Sequence, residues 1–266
     1  MNGEKPLTSP LFPHPTPGTP ALTGGRPGTP PLAREGRVGA SGQQDAGRRP
    51  FVVAIDGPAA SGKGTLARRL AEHFGFAHLD TGALYRATAL LVLDESGDPA
   101  DPAAATAAAC RIDATRLTDP RLREDAVAGA ASVVAAMPEV RSALLDLQRD
   151  FAANPPGSAH GSILDGRDIG TVVYPTADLK LFITATVETR ASRRVQELQD
   201  QGATVIYETV LQDLTERDAR DSRRQAAPLM AAPDAEIIDT TMLDIDVVFE
   251  RAAALVARSL KEKGWQ

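Results

Sequence analysis

An apolar run, Phe51-Val52-Val53-Ala54-Ile55-Asp56, stops at Gly57 and is followed by Leu66, Leu70 and Phe74 at helical spacing. Consecutive apolar residues suit a strand buried on both faces, and the spacing beyond suits an amphipathic helix packed against it. Between them lies Gly57-Pro58-Ala59-Ala60-Ser61-Gly62-Lys63-Gly64-Thr65, which fits G-x-x-x-x-G-K in the strand-to-helix setting that gives the pattern meaning. The glycines let successive backbone N–H groups turn inward on a phosphate, and the helix adds its positive end. Lys63 then reaches the outer phosphates as a point charge. A plain glycine-rich turn would need the lysine and both flanking elements to coincide by accident. The whole loop, 57–65, is expected to hold a nucleoside triphosphate.

Two further apolar runs, Ser162 to Asp165 and Leu179 to Thr184, and a last one at Glu236 to Asp239, alternate with segments of helical pattern. Such alternation implies an α/β fold, here a P-loop NTPase-type parallel sheet flanked by helices. Residues 103–153 show no strand pattern, but Pro138 stands in the first-turn position before Val140, Leu144, Leu145 and Leu147. That stretch reads as a helical insertion on the sheet. The final pattern, Val247, Val248, Phe249, Ala252 and Leu255, reads as a closing amphipathic helix.

Ten of the 20 prolines and nine of the 22 glycines lie in the first 50 residues, with Pro-Gly-Thr-Pro at 17–20 and again at 27–30. Such a segment buries too little apolar surface to offset its ordering entropy, so residues 1–49 are expected to be a disordered tail and 50–266 the folded domain. The net charge of -6, from 29 Lys+Arg against 35 Asp+Glu, provides no basic field for nucleic acid. No apolar run approaches the ~20 residues that span a bilayer. With one cysteine, Cys110, read as packing, no intrachain disulfide can form. A cytoplasmic monomer with neither membrane nor nucleic-acid partner is expected.

The position after Lys63 is Gly64, where the general motif has Ser or Thr to ligate magnesium. Magnesium would then be held by the nucleotide's phosphates, water and an acidic strand end. Asp165, closing Ser162-Ile163-Leu164, either serves there, possibly through water, or braces the next turn; the sequence leaves both open.

Other segments carry chemistry of their own. Thr81 and Arg86 follow a short strand and lie on the first turns of a helix, where a hydroxyl, a helix N-terminus and a guanidinium suit a phosphate. Alone they would read rather as a cap and a solvated charge. Arg167 and Asp168 come just past a strand's carboxyl end, where ligands gather in open α/β sheets. An aspartate there can accept from an amino group on a ligand and would be opposed by a carbonyl in its place. Seven arginines stand between 190 and 224, of which Arg217, Arg220 and Arg224 share a helical face, with Asp221 one turn after Arg217. Some belong to ion pairs such as Glu216 to Arg220, yet so many guanidiniums together call for an anion, and a phosphoryl group is one.

Gly-Lys-Gly-Thr at 62–65, Asp80-Thr81-Gly82-Ala83-Leu84-Tyr85-Arg86, Asp165-Gly166-Arg167-Asp168 and Arg217-Asp218-Ala219-Arg220-Asp221, in this order and separation, closely resemble bacterial cytidylate kinases from about Val52 to Leu260. The resemblance implies transfer of the terminal phosphoryl of ATP to CMP or dCMP, with magnesium, on a core bearing a monophosphate-binding insert near 80–153 and a lid near 190–225. It assigns Thr81 and Arg86 to the acceptor phosphate, Asp168 with Ser132 and Arg141 to cytosine, Arg217 and Asp221 to the acceptor ribose and Arg224 to its phosphate. It places Arg190 and Arg220 in a lid over ATP. Lys63, Arg167, Arg217 and Arg224 would be the catalytic cations. The acceptor is an ionised phosphate oxygen, so no general base is needed, and alignment and neutralisation carry the reaction. Other readings are a small P-loop kinase acting on AMP, UMP or a hydroxylated metabolite, and a nucleotide-sensing module without acceptor chemistry.

Overall fold

The computed structural model describes residues 48–265, so the proline-rich segment 1–47 lies outside the described residues. Its backbone contains five parallel strands: β1 (Phe51–Asp56), β2 (Ala77–Asp80), β3 (Gly161–Gly166), β4 (Leu179–Thr184) and β5 (Glu236–Asp239), in the spatial order β2-β3-β1-β4-β5. β1 is central, and its register sets Ile55 opposite Asp165 of β3 and Leu181 of β4. Its side chains alternate between two cores. Val52 and Ala54 face a core under the insert, while Phe51, Val53 and Ile55 face one shared with α1 (Lys63–Phe74) and α8 (Ile245–Glu262). Burial on both sides is why β1 reads as a continuous apolar run.

The insert is helical throughout: α2 (Thr81–Asp94), α3 (Pro102–Ala109), two 3₁₀ turns at Ala114–Thr118 and Pro120–Arg123, α4 (Asp125–Val134) and α5 (Pro138–Ala153). Asp80 caps α2 by accepting from Ala83 N at 3.2 Å, and Pro102 and Pro138 each occupy a first turn, where the missing N–H is not needed. Cys110, expected to pack, is exposed. It follows the last residue of α3, beyond the face that buries Ala105, Ala108 and Ala109. α6 (Val187–Asp200) and α7 (Tyr207–Arg223) form a pair with a small core of their own, joined to the phosphate loop through Ala59. Among the described residues no single helix is long and apolar enough to cross a membrane.

Parallel strands bring their carboxyl ends, Asp56, Asp80, Gly166 and Thr184, to one edge of the sheet. The phosphate loop leaves the sheet at that edge, where ligands gather in open α/β sheets.

Candidate active site

The phosphate loop leaves β1 at Gly57, whose φ is 152°. A β-carbon there would lie 2.0 Å from the carbonyl oxygen of Ile183, so only glycine lets the loop cross β4. Ala60 and Gly62 also take positive φ, 57° and 87°, and turn the chain into α1. Lys63, the first residue of that helix, is buried, and its Nζ donates to Pro58 O at 3.2 Å. Burial, reinforced by the Arg167 guanidinium, pulls its ammonium down to about 7. An arriving anion would reverse that shift.

Two cavities meet at Lys63. The first, of about 560 Å³, is lined by loop residues Ala60, Ser61, Gly62, Lys63, Gly64 and Thr65 together with Arg193, Arg194, Thr240 and Leu243. The second, of about 300 Å³, lies on the insert side. It collects Lys63, Thr81, Arg86, Ser132, Arg141, Asp165, Arg167, Asp168, Arg217, Asp221 and Arg224, gathering from five separate segments the residues expected to hold the acceptor. Ala60, Lys63, Gly64 and Glu197 border both.

Within the second cavity most charges are already paired. Arg86 reaches Asp80 at 2.6 Å, Arg167 Nε reaches Asp221 at 2.9 Å, and Arg141 and Arg224 pair with Asp168 and Asp221. Arg141 also lies 5.5 Å over the ring of Tyr85. Burial alone would raise the Asp221 carboxyl, but Arg167, Arg224 and Arg217 hold it below its usual range. Arg217 differs from its neighbours. Desolvation, with Arg167 beside it, pushes its guanidinium down to about 10, and its Nε is a buried donor with no hydrogen-bond partner, as are Nε of Arg86 and Arg224. Such donors are costly unless an anion takes them up. Thr81 sends its hydroxyl proton to Asp165 O at 2.8 Å.

Three expected donor-site groups stand elsewhere. Gly57 and Pro58 line neither cavity, and Ala59 lines only the second. Arg190 is buried and fully engaged, donating to Ala59 O at 3.2 Å and Ala185 O at 3.0 Å and pairing with Asp218 at 2.5 Å. Arg220 is exposed, donating to Ser132 Oγ at 3.3 Å and approaching Glu216 at 4.0 Å. Neither lines a cavity. The sequence reading left Asp80, Tyr85 and Glu197 unassigned in the second cavity and Arg193 and Thr240 in the first. Asp80 and Tyr85 sit inside a quoted motif, so a signal was there; Glu197 and Thr240 carry none.

Among the described residues no group of three or more His, Cys, Asp or Glu side chains is arranged to hold a metal. Asp165 approaches the loop at Gly64. Its Oδ1 meets His78 Nε2 at 2.7 Å, and its Oδ2 would lie 3.6 Å from a β-carbon on Gly64. One carboxylate against a phosphate loop suits magnesium that arrives on a triphosphate and keeps several waters.

A phosphate loop between a strand and a helix, facing one cavity, with an arginine-rich cavity on its other side, defines a P-loop phosphotransferase. The cytidylate kinase family model matches residues 53–258. A cytidylate kinase of Methylobacterium sp. (strain 4-46) is 60% identical over 206 residues, covering 77% of this chain and 96% of its own. Those of Methylocella silvestris and Rhodospirillum rubrum are 56% and 55% identical, covering 77% and 78% of this chain and 94% and 97% of theirs. The chain belongs to the cytidylate kinase family.

Proposed function

We propose that the chain transfers the terminal phosphoryl of ATP to CMP or dCMP, with ATP in the cavity under α1 and α8 and the monophosphate in the cavity under the insert. The observation that carries this division is Lys63, which borders both cavities and is buried with its ammonium donating to the Pro58 carbonyl. A group placed there can follow the phosphoryl from donor to acceptor. Arg86, Arg217 and Arg224, each with an unfilled buried Nε, supply the donors that an acceptor phosphate and the transferring group require. Asp168, with Arg141 and Ser132 beside it, reads the cytosine edge. Asp221, held ionised by three arginines, faces the ribose with Arg217.

The acceptor oxygen is already anionic at neutral pH, so no side chain has to remove a proton. The residues align the two nucleotides, neutralise charge and exclude water. Magnesium, when bound, would offset phosphate charge, and Asp165 is the carboxylate that would hold it, directly or through water.

A coupled assay of ADP formation with CMP, dCMP, UMP and AMP tests the reading. CMP and dCMP should be strongly preferred, and Asp168→Ala should lower kcat/KM for CMP by about 100-fold, since the base then loses its charged partner. A clear preference for UMP or AMP would refute it. Lys63→Met should cut turnover by orders of magnitude in a folded protein.

A further inference from the structure

β1 ends in a carboxylate with no place in the chemistry above. Asp56 is buried, and both of its oxygens are taken by backbone: Oδ1 accepts from Ile169 N at 2.8 Å and Oδ2 from Gly170 N at 2.8 Å. Those N–H groups open the short π-helical turn Ile169–Val173, and the residue in the N-cap position of that turn is Asp168. Aspartate at an N-cap normally bends back to accept from the first free N–H groups of its own turn. Asp168 does not: its side chain makes no capping bond, and its carboxylate points instead to Arg141 in the acceptor cavity. Its carbonyl still belongs to the turn, accepting from Val172 N at 2.9 Å and Val173 N at 3.1 Å.

We infer that Asp56 is a positioning residue for acceptor recognition: it caps the Ile169–Val173 turn in place of Asp168 and so leaves the Asp168 carboxylate free for the cavity. The inference rests on the reading of Asp168 as the base-facing group. The packing supports a dedicated arrangement. A β-carbon on Gly170 would lie 3.0 Å from Lys180 Cδ and 3.4 Å from Asp56 Oδ2, so the turn is packed closely against both side chains. Without Asp56 two buried donors would be orphaned, and the carboxylate of the turn's own N-cap residue, Asp168, is placed to take them up.

The test is a double-mutant cycle with KM for CMP and for ATP measured separately. Asp56→Asn keeps the volume but presents an amide N–H to one of the two donors. It should raise KM for CMP by about tenfold, narrow the preference for CMP over UMP, and change KM for ATP by less than about twofold. On an Asp168→Ala background the same substitution should add less than about twofold, because the group it positions is gone. A crystal structure of Asp56→Asn should show Asp168 turned from Arg141 toward Gly170 N. Effects that multiply independently in the double variant, or equal rises in both KM values, would overturn the inference and make Asp56 a general support of the phosphate loop. If Asp168→Ala alone leaves CMP kinetics unchanged, the base-reading role fails first, and the inference with it. Should Asp56→Asn fail to fold, Asp56→Ser, which retains an acceptor and leaves room for a water, enters the same cycle with the same expectations.

Discussion

Lys63 carries its charge where little water can reach it, and the consequence can be measured. Its ordinary pKa of 10.5 falls to about 7 in the folded protein, chiefly by burial. Between these values the folded protein binds fewer protons than the unfolded chain. The cost of burying Lys63 is therefore present in full below about pH 7 and is shed as pH rises toward 10.5. A triphosphate restores the favourable field and with it the proton. ATP binding at pH 8.5 is expected to take up a proton, approaching about one per site, as read by titration calorimetry in two buffers of different ionisation enthalpy. Lys63→Met should abolish that uptake. The loop glycines separate in the same quantitative way. Gly57→Ala drives a β-carbon into the Ile183 carbonyl and should cost more than about 3 kcal/mol or prevent folding. Gly62→Ala meets nothing within 4 Å and suffers only its positive φ, about 1–2 kcal/mol, measurable by urea denaturation.

At the level of elements, α6 and α7 contain arginines of two kinds that look alike in sequence. Arg190 ties α6 to Asp218 of α7 and to the Ala59 carbonyl of the phosphate loop, with its side chain only 5% exposed. Arg220 lies on the surface of the same pair, its side chain 46% exposed. Arg190→Ala strands Asp218 and should lower stability by about 3 kcal/mol as well as activity, whereas Arg220→Ala should change stability by less than about 0.5 kcal/mol. Thermal melts of the two variants beside their kinetics decide this. The strands were readable because runs such as Phe51–Asp56 are buried on both faces, and the insert because Pro138 and the leucines after it mark a helix start and its buried stripe. Thr81, Arg86, Arg167 and Asp168 of the second cavity could be grouped because they follow strand ends, which a parallel sheet brings to one edge, whereas Ser132, Arg141, Arg217, Asp221 and Arg224, on or just after α4, α5 and α7, came together only through the resemblance. Arg190 was not readable, because a charge in a cluster does not reveal which way its side chain runs. Asp56 was not, because its partners lie 113 and 114 residues away and become neighbours only when β1 and β3 pair.

Across the whole molecule the two edges of the sheet do different work. The carboxyl edge holds the cavities, while the opposite edge is closed by a junction around Asp178, the residue before β4. Its carboxylate, 2% exposed, accepts from Arg49 Nη1 at 2.8 Å, Arg49 Nη2 at 2.6 Å, Val52 N at 2.9 Å and Lys263 Nζ at 3.1 Å, and burial is outweighed by these donors in keeping it below its usual range. Arg48 adds a bond to Gly264 O at 2.9 Å and stacks 4.4 Å over Trp265, which meets Phe51 edge-on at 6.1 Å. Arg48 and Arg49, grouped with the tail on composition, thus join the start of β1 to the end of α8. Because Arg49 is itself more than half exposed, its pair with Asp178 is screened, and its removal should cost only about 1–2 kcal/mol. A chain beginning at Pro50 is therefore expected to melt about 2–8 °C below one beginning at Arg48, a range set by the size of the domain. Since the junction lies at the edge away from the cavities, KM for ATP and for CMP should be the same in the two chains below their melting temperatures. Equal melting temperatures would show that the arginine contacts contribute nothing, and a shift in either KM would show that the two edges of the sheet are coupled.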